Sequence, residues 1–362
     1  VVGARVSADG VDFEVRARWV VNAAGVWADD VRALDEGAHP NSIRPAKGIH
    51  VTLPWSAVRN DIAVILPVPR DRRSVFVVPW GDQTYVGTTD TDYDGRLDDP
   101  QCTPDDVSYL LGALNAAMSE PVSEADVVGT WAGLRPLLRG AGDARTADLS
   151  RRHRVGADAA GLVTVTGGKL TTYRRMAADT VDVVVHRLGR GHRRSPTRNL
   201  ALIGAEGTSG LRAPGAASRL GTDPAVLEHL VRRYGGEARA VLAMAGRDPA
   251  LSRPLVPGLP YLAAEAVYAA RYEMATTVED VLSRRTRALL LARDAAADAA
   301  PEVARLLAAE LGWDQHEAEA QAGAFQALVT AERDAAGLVP SAPVMAGAPT
   351  ASAGPVGPAA PV

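Results

Sequence analysis

The stretch from Gly161 to Leu188 constrains this chain more than any other, because it states a strand, a break and a helix in succession. Leu162 to Thr166 is a short β-branched strand, and Gly167-Gly168 ends it. A helix follows, with apolar or small residues at Tyr173, Met176, Ala177, Thr180, Val181, Val184 and Leu188. Their 3.6-residue period predicts that this face turns inward. Thr171 or Thr172 is placed to cap the helix start.

A glycine pair between strand and helix lets the backbone approach a ligand closely, and the first helical N–H groups have no partner inside the helix. With about half a positive charge from the helix dipole, such a turn suits an anion or an electron-rich carbonyl. Lys169 adds a full charge. A nucleotide-triphosphate P-loop is disfavoured, since it needs a glycine where Val163 stands and a Ser or Thr where Leu170 stands. An ordinary strand-to-helix turn with a surface lysine fits these residues equally well.

The 362 residues are 47% hydrophobic, enough for a sizeable core and, by length, two domains. With 39 basic against 43 acidic residues the net charge is −4, which gives no footprint for nucleic acid. The single cysteine, Cys102, excludes an intramolecular disulfide and a cysteine metal cluster, suits a reducing compartment, and reads as incidental in a polar loop. No metal site is expected. The longest apolar runs, such as Ile62 to Val68, fall far short of the ~20 residues of a membrane span. No signal peptide is read at the N-terminus. Because Val1 lies in mid-strand, the chain is expected to be part of a longer one.

Residues 1–21 read as a hairpin turning at Ser7-Ala8-Asp9-Gly10, with Trp19-Val20-Val21 entering a buried sheet and a helix from Trp27 to Leu34. Strands at Ile49 to Leu53, Ile62 to Leu66, Val75 to Pro79 and Thr84 to Thr88 follow at short spacing and predict an antiparallel sheet. A helix with Thr103 as cap and Pro104 at its first position comes next. Strands Val127 to Leu134 and Arg152 to Val155 lead to the central unit. Gly189 to Gly221 reads as a linker, with His192-Arg193-Arg194 a solvated patch. Helices are predicted at Pro224 to Tyr234, Glu237 to Met244, Ala263 to Ala275, Val278 to Arg293, Pro301 to Leu311 and Gln315 to Glu332, with Thr277 and Asp280 a capping pair. After Ala335 the composition predicts disorder.

Several segments, taken in order, resemble one family. They are Val21-Asn22-Ala23-Ala24-Gly25-Val26-Trp27, Lys47-Gly48-Ile49-His50, Phe76-Val77-Val78-Pro79-Trp80, Val86-Gly87-Thr88-Thr89-Asp90, Ala132-Gly133-Leu134-Arg135-Pro136-Leu137, Ser150-Arg151 and Thr166-Gly167-Gly168-Lys169-Leu170-Thr171-Thr172-Tyr173-Arg174. In the helical region Glu265-Ala266-Val267-Tyr268, Glu273-Met274 and Asp280 to Arg287 continue the likeness. The chain resembles the FAD-dependent glycerol-3-phosphate dehydrogenases that pass electrons to a quinone. That implies an α/β (α+β) fold of the D-amino-acid-oxidase type. Residues 1–42 and 157–190 would form a partial FAD-binding domain, 43–156 an antiparallel-sheet substrate domain, 191–221 a linker, 222–334 a helical C-terminal domain and 335–362 a disordered tail. The family's G-x-G-x-x-G fingerprint, which holds the FAD pyrophosphate, is absent from the sequence. By resemblance the chain is the C-terminal two-thirds of such an enzyme, and alone it is expected to be colourless and inactive.

The resemblance also assigns residues. Ala24, Gly25, Trp27, Gly168, Lys169, Leu170, Thr171 and Thr172 would contact FAD, the last three presenting N–H groups to the pyrimidine end of the flavin. Lys169 matches the active-site lysine and would stabilise the oxyanion or relay a proton. Arg135 and Arg151 match the arginines that bind the phosphate of glycerol 3-phosphate, with Arg135 counted among the catalytic groups as well. His50 reads as a satisfied strand histidine, Asp90 as a turn cap, and Arg284 and Arg285 as packing or docking groups. The implied partners are glycerol 3-phosphate and a quinone, not nucleic acid. A cytoplasmic protein, peripheral on the membrane, is implied, and a homodimer stays open. Two other readings remain, a related flavin-dependent oxidase or amine oxidase and a noncatalytic anion-binding or interaction module.

Overall fold

The computed structural model describes residues 1–8, 10–69, 73–139, 152–191 and 194–341. The strands are β1 Gly3–Ala8, β2 Val11–Arg16, β3 Val20–Asn22, β4 Ile43–Pro54, β5 Val64–Pro67, β6 Ser74–Trp80, β7 Gln83–Gly87, β8 Thr91–Asp92, β9 Gly129–Leu138, β10 Arg154–Ala157 and β11 Leu162–Thr166. The helices are α1 Ala28–Glu36, α2 Trp55–Val58, α3 Pro104–Asn115, α4 Tyr173–Arg187, α5 Thr208–Leu211, α6 Ala216–Leu220, α7 Pro224–Tyr234, α8 Ala238–Arg247, α9 Ala263–Tyr272, α10 Ala288–Leu291, α11 Arg293–Leu311 and α12 Gln315–Ala335. They divide into two compact units, one of residues 1–48, 89–100 and 132–200, the other of 49–88, 101–131 and 201 onward.

In the first unit β1 and β2 form an antiparallel hairpin, with Ser7 and Ala8 paired to Asp12 and Val11, so the turn is tighter than the four residues predicted. A three-stranded sheet has the order β10-β11-β3, with β11 antiparallel to β10 and parallel to β3. The helix predicted from Trp27 is a 3-10 turn, Gly25–Trp27, leading into α1. Strand β4 begins here, and its Ala46 and Lys47 pair with Asp92 and Thr91 of β8. The α4 stripe is not all turned inward. Thr180 is buried while Tyr173 and Val181 are exposed. The helix docks through Met176, which packs against the bare Cα of Gly168, and this rotates the 173/177/181 row outward.

The second unit holds the later half of β4, paired antiparallel with β7 and on through β6 to β5. Its alternate residues Val51, Leu53, Val75, Val77 and Val86 are buried, and so are Val107, Leu110, Leu111 and Leu114 of α3. Thr103 caps α3, as the sequence predicts, and with Asp106 it forms a reciprocal capping box. Cys102, expected in a polar loop, does lie in the loop before α3 but is buried.

The helical part of this unit is built around Leu230, Val241, Val267, Leu282, Val303, Leu307 and Phe325. The segment predicted as one helix from Val278 to Arg293 is a π-helix, Asp280–Arg285, then α10, with Arg287 between them at φ +62. The Thr286 amide bonds five residues back to Val281 (2.8 Å), and the Tyr261 hydroxyl takes the Thr286 carbonyl, which ends the helix there. Thr277 caps the Asp280 amide at 3.0 Å. Helix α11 begins eight residues ahead of Pro301, expected as its first residue. The proline leaves the Ala297 carbonyl without its helical donor, and Gln326 Nε2 supplies one at 3.2 Å. In the stretch read as linker, Leu211 and Ala216 join the helical core. Past Ala335 the chain stays ordered to Ser341. Ala336 and Leu338 are buried, and the Ser341 amide and hydroxyl donate to Asp294 at 2.8 and 2.7 Å. The rest of the predicted tail lies outside the described residues. Among the described residues no helix is long and apolar enough to cross a membrane.

Candidate cofactor and anion site

Strands β3 and β11 run parallel, with Val20, Val21 and Asn22 opposite Leu162, Val163 and Thr164. Their carboxyl ends therefore finish at one edge, and the two turns that leave them stand side by side. One turn carries Ala24, Gly25 and Trp27 into α1, the other Gly168 to Thr172 into α4. The carboxyl edge of parallel strands is where open α/β sheets bind ligands. Buried Asn22 ties this edge together. Its Nδ2 donates to the Ala28 carbonyl at 2.8 Å, and its Oδ1 accepts from the Ala24 amide at 3.2 Å. Sequence reasoning assigned Asn22 no role, though a polar residue ending an apolar strand was the available signal.

At the second turn Gly167 and Gly168 take φ of +70 and +84, which only glycine adopts without strain. A Cβ on Gly168 would lie 2.6 Å from Met176 Sδ and 3.1 Å from His153 Cβ. Lys169 follows in extended conformation and is exposed, as is Leu170 at 88%. Leu170–Thr172 is one turn of 3-10 helix. No side chain caps it or α4, contrary to the expectation for Thr171 or Thr172. The Thr172 hydroxyl instead donates to the Lys169 carbonyl at 2.9 Å.

Behind Gly168, His153 Nε2 is 2.9 Å from Asp179 Oδ2, and Arg175 Nε donates to the same oxygen at 3.1 Å. Burial works against charge on Asp179, but these bonds outweigh it and hold its carboxyl below the ordinary value. The pair fixes α4 to the residue preceding β10. It also escaped sequence reasoning, because His153 and Asp179 carry no shared motif.

Arg135, on β9, stands in a second cluster of the same unit. Its Nη1 lies 3.3 Å from both the Thr89 carbonyl and Asp90 Oδ1. Its guanidinium covers Gly48, where a Cβ would come within 2.5 Å of Nη2. Asp90, expected as a turn cap, is thus a partner of Arg135. Arg151 lies outside the described residues. Arg284 and Arg285 pack within the helical region, Arg284 on Asp280 at 3.1 Å and Arg285 on the Glu273 carbonyl at 3.1 Å.

In the second unit the His50 ring stacks on Trp131, with centroids 4.5 Å apart and planes 6° from parallel, and meets Tyr85 edge-on at 5.9 Å. Gly87 passes beneath it so closely that a Cβ there would be 2.2 Å from the ring. His50 is therefore one member of an aromatic wall with Trp80, Tyr85 and Trp131. The sequence reading treated it as a lone histidine because its stacking partners come from other strands.

Residues 1–174 match the family described as FAD dependent oxidoreductase, and residues 195–318 match the C-terminal domain of alpha-glycerophosphate oxidase. The chain is 42% identical over 334 residues to glycerol-3-phosphate dehydrogenase 2 of Mycobacterium tuberculosis, covering 91% of this chain and 56% of that protein. It is 36% identical to the probable mitochondrial glycerol-3-phosphate dehydrogenase of Caenorhabditis elegans, covering 89% and 46%. The structure of the Bacillus halodurans glycerol-3-phosphate dehydrogenase in complex with FAD superposes with a TM-score of 0.73 at 29% identity, over 90% of this chain and 64% of that one. The chain spans about half the length of the curated relatives it matches. Taken with the paired turns on β3 and β11, these likenesses place the chain in the FAD-dependent oxidoreductase family, in the group that contains the glycerol-3-phosphate dehydrogenases.

Proposed function

We propose that this chain serves the FAD-dependent oxidation of sn-glycerol 3-phosphate to dihydroxyacetone phosphate, with a quinone as electron acceptor. The observation that carries the reading is the parallel pairing of β3 with β11, which sets Ala24–Trp27 beside Gly168–Thr172. Gly168 has no room for a Cβ beside Met176 and His153, so the turn takes this form only with glycine there. Ala24, Gly25, Trp27 and Gly168 to Thr172 would hold the flavin, whose chemistry when bound is to accept two electrons from the alcohol carbon. The chain's own groups do the rest. At the uncapped turn the Leu170 and Thr171 N–H groups are offered to a carbonyl, whereas that of Thr172, expected to join them, is taken by the Lys169 carbonyl at 2.9 Å. Lys169, exposed at the turn, offers an ammonium to the alcohol oxygen as its proton leaves. Arg135, seated by Asp90 and Thr89, offers a planar fork to a phosphate.

An amine or amino-acid oxidase needs no such arginine for a doubly charged monoester, so the Arg135 seat favours glycerol 3-phosphate. The quinone, a cytoplasmic location with peripheral contact to the membrane, and a homodimer belong to the same proposal. Because its sequence carries no G-x-G-x-x-G turn, the chain alone should elute from gel filtration colourless after mixing with FAD and show no turnover. The substrate test is calorimetric binding of glycerol 3-phosphate and of glycerol to the parent and to Arg135→Ala. The variant should lose affinity for the phosphate ester by about 1.5–3 kcal/mol and leave glycerol unchanged. Equal effects on both would remove the phosphate role.

A further inference from the structure

Of the 39 basic residues only Lys47 and Lys169 are lysines, and all the rest are arginines. Where a positive charge serves a surface ion pair, this chain uses arginine, as in Arg32–Glu36, Arg232–Glu228, Arg284–Asp280 and Arg305–Glu302. A lysine kept in such a composition marks a place where a guanidinium does not serve. Arginine is a broad, planar fork, lysine a compact ammonium with three freely rotating donors. Lys169 stands at the turn already described. Lys47 has had no role.

We infer that Lys47 is a positioning residue for Arg135, a second lysine reserved for the anion site; this rests on the reading that Arg135 binds phosphate. Lys47 lies on β4 and is only 9% exposed. The residue after it, Gly48, is the floor on which the Arg135 guanidinium rests. Its antiparallel partner on β8 is Thr91, which follows directly on Thr89 and Asp90, the two residues that hold Arg135. The Lys47–Thr91 rung thus stands behind both parts of the Arg135 seat. Successive strand residues point to opposite faces, so Lys47 acts from behind the sheet and does not touch what Arg135 binds. Beside it the buried Thr91 hydroxyl has no hydrogen-bond partner among the described residues, a polar corner of the kind an ammonium or an ordered water fills. The wider guanidinium would have to push β4 from β8, moving the Gly48 floor or the Thr89–Asp90 wall.

The test uses Lys47→Arg and Lys47→Met in this chain, with three readouts: thermal midpoint, calorimetric affinity for inorganic phosphate, and amide hydrogen exchange of residues 46–48 and 89–92. Lys47→Arg should keep the fold and the charge, exchange faster at those amides, and bind phosphate about tenfold more weakly. The loss should not add to that of Arg135→Ala in the double variant, because both act through one seat. Parental affinity and exchange in Lys47→Arg overturn the inference. A loss fully additive with Arg135→Ala overturns it too. Should Lys47→Arg not fold, Lys47→Met carries the same comparison. If Lys47→Arg raises exchange while Arg135→Ala leaves phosphate affinity untouched, the positioning role stands and the phosphate reading of Arg135 falls.

Discussion

Gly168→Ala puts a methyl group where the turn has no room, and the structure sets the size of the effect. The residue sits at φ +84, where a side chain costs about 1–2 kcal/mol. The new Cβ would meet Met176 Sδ at 2.6 Å, Met176 Cε at 2.9 Å and His153 Cβ at 3.1 Å. The Met176 thioether can swing away, but His153 is tethered to Asp179 at 2.9 Å and can give little. Overpacking of this kind adds about 1–3 kcal/mol, for a total of about 2–5. Gly156→Ala in β10 is the matched control. It lies in the same small sheet, outside the left-handed region, and its Cβ would meet nothing within 4 Å. Its effect should stay within about 0.5 kcal/mol. Urea unfolding of both variants, followed by the fluorescence of Trp19 and Trp27 after the other tryptophans are replaced by Phe, compares them directly. Equal midpoints for the two would refute the claim that Gly168 is a steric requirement of the turn.

Three further outcomes are expected. Asp179 has a folded pKa below its ordinary 3.8, so the stability it contributes is present above that value and is lost as pH falls through the lower folded pKa. Asp179→Asn should therefore be less stable than the parent at neutral pH, with the gap closing in acid; a gap independent of pH would show that the His153 pair carries no linkage. Fully buried Glu265 accepts from Leu262 N at 2.8 Å, Tyr234 Oη at 2.9 Å and His229 Nε2 at 3.0 Å, so Glu265→Ala strands three donors and should cost about 3–5 kcal/mol in thermal unfolding. A loss under about 1 kcal/mol would mean water replaces the carboxylate. In an enzyme that joins this chain to the family's G-x-G-x-x-G segment and is loaded with FAD, Lys169→Met should slow flavin reduction in single turnovers with an unchanged thermal midpoint, and a parental rate would take Lys169 out of the chemistry.

What could be read from the sequence was what near neighbours decide. Strand β11 has the bounds Leu162 to Thr166 that its β-branched run predicts, α3 starts at Thr103-Pro104, and α7 runs from Pro224 to Tyr234. Each depends on periodicity, a cap or a glycine within a few residues. The motif residues Ala24, Gly25, Gly168 and Lys169 were visible for the same reason, since each motif is continuous in the chain. What the tertiary structure alone decided was which distant groups meet. The pairing of Val20–Asn22 with Leu162–Thr164 makes one edge of two turns, Asp90 becomes the partner of Arg135, and His50 finds Trp131. The same holds where local rules were overruled. Pro301 stays inside α11 because Gln326 reaches the carbonyl it leaves open, and the π-helix ends where Tyr261 takes the Thr286 carbonyl. Local propensities amount to a few tenths of a kcal/mol per residue, whereas one satisfied or orphaned buried group is worth about 1–3. Partners from elsewhere in the fold therefore win wherever the two disagree.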